Sequence, residues 1–245
     1  MPERARSFGA VAAAYARYRP GYPAAALEWA LAPAPGGAVL DLGAGTGKVT
    51  EALLRRPGVR VTAVDPDPAM LAQLRAAFPA VAAHEGTAER IPLPDAAVDA
   101  VVVGTAWHWF DRARAEPEIA RVLRPGGVLV VLWNGDDDTV EWVRGYQRAL
   151  HRDELAPIGT TLAVARPSDP AFGASEARRF TNPVPTTIDG FVETISTHSW
   201  ALMADPGVRD ASLARMRAYL AARPETSPGS FTLPMVTEVV RTLRK

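Results

Sequence analysis

The chain has 245 residues, enough for one α/β domain with an insertion and for a core that needs no covalent staples. It contains no cysteine, which excludes disulfides, thiolate metal sites and a cysteine nucleophile. Its 27 basic and 27 acidic residues cancel, so no global field draws in nucleic acid or an anionic membrane.

No stretch approaches the roughly 18 apolar residues of a membrane span, and Met1 to Tyr22 lacks the apolar run of a signal peptide. The expectation is a cytoplasmic protein without a membrane or nucleic-acid partner. From the start, Phe8 to Tyr18 reads as a short Ala-rich helix, broken by Arg19-Pro20-Gly21-Tyr22-Pro23. A second helix, Ala24 to Leu31, follows, with Pro23 suited to its first turn. After a turn at Pro33 to Gly37 a rhythm begins. Strand Ala38 to Leu42 leads to helix Lys48 to Arg55, and strand Val59 to Val64, closed by Asp65, to helix Pro68 to Phe78 with Asp67 as cap. Ala80 to His84 is a weaker strand and Val98 to Val103 a strong one. Ala113 to Leu123 reads as helix, its start delayed or its axis bent by Pro117. Pro125-Gly126-Gly127 turns the chain into strand Val128 to Trp133. Apolar strands alternating with helices imply parallel βαβ units covered on both faces.

Beyond Asn134 the rhythm stops. Thr139 to Leu155, Ile188 to Leu202 and Val208 to Ala222 read as helices, and Arg178 to Val184 as a strand. Phe231 to Leu243 is a last strand, interrupted by Pro234. These late helices either form a lid over a pocket or complete the outer layer; the length of the insertion favours a lid.

Glycines at 43, 45 and 47 follow a strand and open a helix, which lets backbone approach a ligand and aims amide N–H groups at it. The phosphate-cradling pattern fails, because Leu42 stands where glycine is needed and Val49 where Ser or Thr is needed. The dinucleotide pattern is missed by one register, with Lys48 at the third glycine position. Asp41 precedes the first glycine by two residues, and a carboxylate there repels pyrophosphate but suits an amine and a sulfonium. Asp65, 24 residues after Asp41, is placed to accept from ribose hydroxyls. The plainer readings are a carboxylate that orients the loop for Asp41 and a helix cap for Asp65. The pair around a glycine turn favours an adenosyl ligand without phosphate.

On these residues the chain resembles the class I S-adenosylmethionine-dependent methyltransferases, and more narrowly the small-molecule, trans-aconitate-type branch. The match runs over much of 8 to 133. It includes Phe8, Tyr15, Tyr18-Arg19-Pro20-Gly21-Tyr22-Pro23, Val39 to Gly47, Val64-Asp65-Pro66, Met70, Gly86 to Asp95, Ala106-Trp107-His108-Trp109-Phe110-Asp111 and Arg121 to Gly127. The resemblance implies a three-layer α/β sandwich. Its sheet has seven mostly parallel strands with the last antiparallel, Phe231 to Leu243 paired with Arg178 to Val184 or its neighbourhood, and it carries a helical lid insertion. One domain, 1–245, would hold N-terminal cap helices (1–37), a Rossmann-like cofactor core (38–135), a lid and late-strand region (136–230) and a final strand (231–245). The resemblance also assigns S-adenosylmethionine, and its product S-adenosylhomocysteine, to Gly43, Ala44, Gly45, Thr46 and Gly47 for the methionine portion. Asp65 would take the ribose, Pro66 and Met70 would flank the adenine, and Ala88 and Glu89 would stand at its edge. Thr105, Ala106 and Trp109 would line the other side, and Tyr15 and Arg19 would close over the methionine end. Trp107 stands where related sequences often carry a small or amide residue, and its ring either narrows the pocket or faces the core.

The expected reaction is methyl transfer to a small molecule, to a carboxylate or hydroxyl oxygen in the first instance and to nitrogen as the variant. His108, just past a strand's carboxyl end, is the candidate base, or else a packing residue. A carboxylate acceptor needs no base, and a cation such as Arg19 would hold it. Trp107, Trp109 and Phe110 form an aromatic cluster that walls the acceptor or packs the core. No metal is expected: His84, His151 and His198 lack ligand spacing, and Asp136-Asp137-Asp138 reads as a solvated helix start. The rival readings are a nicotinamide-dependent oxidoreductase, an RNA or protein methyltransferase, and a protein that binds the cofactor without transfer. The oligomer is expected to be a monomer or homodimer.

Overall fold

A computed structural model of the chain describes residues 18–150, 165–226 and 229–245. The helix expected at Phe8 to Tyr18, and with it Tyr15, lies outside the described residues but for its last position, as do the end of the helix expected at Thr139 to Leu155 and His151. The apolar runs become β1 (Ala38–Leu42), β2 (Arg60–Asp65), β3 (Ala82–Glu85), β4 (Val98–Gly104) and β5 (Leu123–Asp136). They pair in parallel, β3 with β2, β2 with β1, β1 with β4 and β4 with β5. β6 (Phe172–Thr181) forms the far edge, and β9 (Met235–Arg244) lies between β5 and β6, antiparallel to both. The seven-stranded order is β3-β2-β1-β4-β5-β9-β6.

Helices cover both faces. α1 (Ala24–Leu31) and α2 (Lys48–Leu54) lie on one side, α4 (Arg112–Val122) on the other, with α3 (Pro68–Ala77) packed near β2. The period-two alternation of strands divides the residues between the two sides. Leu40, Leu42, Val101, Val103, Leu129 and Val131 meet Ile119 of α4. Val39, Ala100, Val102, Val128, Val130 and Leu132 meet Leu27 of α1 and Leu53 of α2. The three-layer expectation is met.

Several boundaries differ from the sequence reading. α4 begins at Arg112 and holds Pro117 inside it, so the proline does not delay its start. Leu123 already pairs with Val98, and the next partners are Ala100 and Val128. Residues Arg124 to Gly127 therefore bulge out of the ladder, with Gly126 at φ 76°. Asp67 caps α3 as expected, accepting from the amides of Ala69 (2.8 Å) and Met70 (3.4 Å).

The expected last strand is two strands. Pro234 has no N–H for a ladder and divides β8 (Ser230–Leu233) from β9. β8 pairs with β7 (Val184–Thr187) as a separate antiparallel ribbon. The helix expected at Ile188 to Leu202 is also two, α6 (Ile188–Ser196) and α7 (Ser199–Met203), because His198 is extended at φ −72°, ψ 146°. With α5 (Glu141–Ala149) and α8 (Pro206–Ala221), the ribbon and these helices enclose a second core of Trp142, Tyr146, Phe191, Ile195, Trp200, Leu220 and Phe231. This helical unit grows from the carboxyl end of β5, where Gln147 Nε2 donates to Asp136 Oδ2 at 2.8 Å. Among the described residues, no helix is long and apolar enough to cross a membrane.

Candidate functional site

The glycine loop leaves β1 at its carboxyl end, the edge where open α/β sheets bind ligands. Gly43, Gly45 and Gly47 have φ of 72°, 55° and 92°, a region that side chains with a Cβ enter only with strain. The amides of Gly43 (2.8 Å) and Ala44 (3.1 Å) donate to the Val64 carbonyl, which ties the loop to β2. A side chain at Gly43 would strike Ala106 Cβ at 2.6 Å, and one at Gly47 would strike Phe78 Cε2 at 2.9 Å. At Gly45 a Cβ would meet nothing within 4 Å, so the loop is packed at both ends and open in the middle.

Two carboxylates brace it. Asp41 is fully buried beneath α2. Its Oδ2 accepts from the Thr50 amide (2.8 Å) and hydroxyl (2.6 Å), in the first turn of that helix. Its Oδ1 is buried without a hydrogen-bond partner. Burial pushes its pKa up to about 7, against the lowering by Thr50. Asp65 receives the Gly45 amide on Oδ2 (2.7 Å) and the Asp67 amide on Oδ1 (2.9 Å). Burial raises it to about 6, opposed by those two amides. Thus Asp65 touches the open middle of the loop and Asp41 supports its base. The plainer role foreseen for Asp41, orienting the loop, is present in the geometry, while the helix cap falls to Asp67 rather than Asp65.

The wall opposite comes from the end of β4. Thr105, β-branched, sits at φ 56°. Its amide donates to the Leu132 carbonyl at 2.8 Å, and its hydroxyl shares a 3.0 Å hydrogen bond with the Tyr22 hydroxyl. Ala106 then abuts Gly43 and begins a single 3-10 turn, Trp107–Trp109. Trp107 is 1% exposed and lies in the same core as Ile119, edge-on to Phe110 at 5.9 Å and beneath the Arg112 guanidinium at 5.4 Å. Its ring therefore faces the core and does not narrow a pocket. His108 points the other way, exposed, with its ring 4.8 Å from that of Trp109. Partial desolvation lowers the His108 pKa below the ordinary imidazole value.

The remaining expected residues divide. Met70 is buried in the first turn of α3, with Pro66 next to Asp65. Ala88 is 1% exposed, in the same apolar core as Trp107. Glu89 Oε1 accepts from the Asp111 amide at 2.9 Å, joining that turn to the start of α4. Arg19 turns toward the helical unit, donating to Thr197 Oγ1 (3.0 Å) and the Thr197 carbonyl (3.1 Å). The three successive aspartates engage separate partners, Gln147 for Asp136, Thr139 for Asp137 and Arg179 for Asp138. Sequence reasoning passed over Thr50, Asn134 and Asn182, single polar residues without a motif; the only signal for Asn134 was its place at the end of an apolar run.

A family model described as a methyltransferase domain matches residues 40–131, from β1 into β5. An uncharacterized methyltransferase of Mycobacterium tuberculosis (strain H37Rv) is 43% identical over 236 residues, covering 96% of this chain and 94% of its own. The chain belongs to the class I S-adenosylmethionine-dependent methyltransferases. A solved structure from Anaeromyxobacter dehalogenans, assigned as a type II methyltransferase, superposes on this methyltransferase with a TM-score of 0.73 at 29% identity, covering 93% of this chain and 98% of that one. A demethylmenaquinone methyltransferase of Chlorobaculum parvum is 37% identical over 95 residues, only 38% of this chain and 39% of its own. The family relationship sets aside the nicotinamide reading.

The residues present suit the donor of this methyltransferase family. Along this one loop, Asp41 Oδ1 and the Thr46 hydroxyl are buried polar atoms without a hydrogen-bond partner, and a Cβ at Gly45 would meet nothing within 4 Å. Asp65 uses one amide per oxygen and retains acceptor capacity.

Proposed function

We propose that the protein transfers the methyl group of S-adenosylmethionine to a small-molecule acceptor, at a carboxylate or hydroxyl oxygen, with an amine nitrogen as the variant. The observation that carries this reading is the pair of buried carboxylates, Asp41 and Asp65, braced against a glycine loop that is open at Gly45. The neutral net charge supports a small acceptor over RNA.

S-adenosylmethionine supplies a methyl activated on a positive sulfonium, whose departure leaves a neutral thioether. The protein's task is then alignment and charge matching. Gly43 to Gly47, with Ala44 and Thr46, hold the methionine portion, and Asp65 accepts from the ribose hydroxyls. Pro66, Met70, Ala88 and Glu89 flank the base, while Thr105, Ala106 and Trp109 form the facing wall. The resemblance assigns Arg19 to the methionine end, together with Tyr15, which lies outside the described residues. Alignment of this kind contributes about 7–11 kcal/mol to lowering a barrier. For a hydroxyl acceptor, His108 is the group assigned to take the proton as the new oxygen–carbon bond forms. A carboxylate acceptor needs no base, and Arg19 is the candidate cation to hold it. The helical unit rising from the end of β5 serves as the lid.

The test is calorimetric titration with S-adenosylhomocysteine, followed by labelled methyl transfer onto a panel of acids, phenols and amines. Binding with transfer to at least one acceptor is expected. Binding with no transfer to any member would instead support a cofactor-holding protein, and no binding at all would remove the reading.

A further inference from the structure

Four distant parts of the chain meet on the carboxyl edge of the sheet, at Asn134 near the end of β5. Its Nδ2 donates to the carbonyls of Pro20 (3.3 Å) and Gly21 (3.0 Å). Its Oδ1 accepts from Thr237 Oγ1 of β9 (2.6 Å) and from Asn182 Nδ2, just past β6 (3.0 Å). Asn182 Nδ2 also donates to the Gly21 carbonyl at 3.0 Å. Both donors and both acceptor directions of the Asn134 amide are used, which no other side chain at that position reproduces.

What the clamp grips is the segment Tyr18 to Pro23, and the same segment touches the site at two further points. Tyr22 shares its hydroxyl bond with the strained Thr105. A side chain at Gly104 would run into both the Tyr22 hydroxyl and Val49 of α2, so Tyr22 is wedged between the end of β4 and the helix that the glycine loop opens. At its other end the segment is tied to α6, where Thr194 Oγ1 donates to the Tyr18 carbonyl (3.0 Å) and Arg19 donates to Thr197. The clamp thus fixes a strap whose one face supports the glycine-loop wall and whose other face holds the helical unit.

We propose that Asn134 and Asn182 are positioning residues that hold this strap across the ends of β4 and β5, and that through it they set how tightly and for how long the cofactor is retained. The inference rests on the methyl-donor reading of the glycine loop. When the strap is released, only a fraction of molecules has the pocket wall in place, and apparent affinity falls by that fraction.

Asn134→Asp separates the roles. An aspartate keeps the acceptor for Thr237 and Asn182 but presents oxygen to the Pro20 and Gly21 carbonyls, so the two bonds from position 134 to the strap are lost while the Asn182 bond to Gly21 and the sheet contacts stay. Expected are a rise of about tenfold in the Kd for S-adenosylhomocysteine, as for two lost hydrogen bonds, and faster dissociation. Faster hydrogen exchange at residues 18–22 of the ligand-free protein should accompany them, with β1 and β4 as protected as before. Asn182→Ala, which removes one donor to Gly21 and leaves Thr237 on Asn134, is expected to shift the same readouts less, and it carries the test if the aspartate variant does not fold. If wild type binds and both variants bind equally well, the proposal is wrong. It is equally wrong if affinity falls only together with protection across the whole sheet. If wild type itself does not bind, the methyl-donor reading fails, and so does the retention role that rests on it.

Discussion

At the scale of single residues the site turns on Asp41. Its carboxylate is buried with one oxygen unpartnered, and burial lifts its pKa to about 7, while Asp65 is lifted to about 6. A carboxyl whose folded pKa lies above its unfolded value, about 4, stabilises the fold fully below that value and loses the contribution as pH rises through the folded pKa. Ligand-free protein should therefore lose stability between about pH 5 and about pH 8, and Asp41→Asn should escape part of that loss. The expected result is a Tm difference, variant minus wild type, that grows more positive across this range. On the proposed methyl-donor reading, charge matching runs the other way: affinity for S-adenosylhomocysteine should strengthen over the same range in wild type, as Asp41 ionises beneath the loop assigned to the ligand's methionine portion. Equal slopes in variant and wild type would count against Asp41 as the titrating group. For His108, replacement by Gln should lower kcat on a hydroxyl acceptor by about 10²-fold or more while leaving the Kd for S-adenosylhomocysteine unchanged; unchanged turnover would remove it from the chemistry. Asp41, Asp65 and the glycines were legible because acid and glycine spacing is itself the signal. Trp107 was not, since the same ring suits a pocket or a core, and only its burial beneath Arg112 decides. Asn134 and Asn182 were invisible because their partners are backbone carbonyls more than a hundred residues away.

At the scale of elements, the glycine loop separates two kinds of constraint. Gly43 sits at φ 72° with Ala106 in the way, so Gly43→Ala strains the backbone and displaces the 3-10 turn. Gly45 sits at φ 55° with open space beyond it. Gly45→Ala should cost only the left-handed strain of about 1–2 kcal/mol, a Tm drop of roughly 2–8 °C. Because the added methyl enters the vacant middle of the loop, that variant is nevertheless expected to lose most affinity for S-adenosylhomocysteine by calorimetry. Retained affinity would mean the ligand lies elsewhere. β1, β2, β4 and β5 were readable because apolar runs buried in the sheet leave a continuous signal, whereas β3, mostly exposed at the sheet edge, gives a weaker one. β6 was read short: its amino-terminal half carries Ser175 and Glu176 on the sheet edge, where exposure erases the pattern. β7 alternates half-buried with exposed positions over four residues, too few to register.

At the scale of the whole molecule there are two bodies of apolar packing, the sheet with its helices and the helical unit around Phe191. That residue is buried and edge-on to Tyr146 at 4.9 Å and to Phe231 at 6.5 Å. Phe191→Ala should cost about 3–5 kcal/mol, and the loss should be local. Hydrogen exchange should accelerate in α5, α6 and α8 and stay slow in β1, β4 and β5; uniform acceleration would show a single cooperative unit. The late position of β9 bears on how the chain is made. β5 is synthesised about a hundred residues before the strand that covers its edge, and among the described residues β6 pairs in the sheet with β9 alone. On the ribosome, the emerging polypeptide therefore presents a long apolar edge with unsatisfied amides until Met235–Arg244 leaves the exit tunnel. Premature termination near Pro234 would strand that edge permanently, giving a product prone to self-association rather than a shortened enzyme.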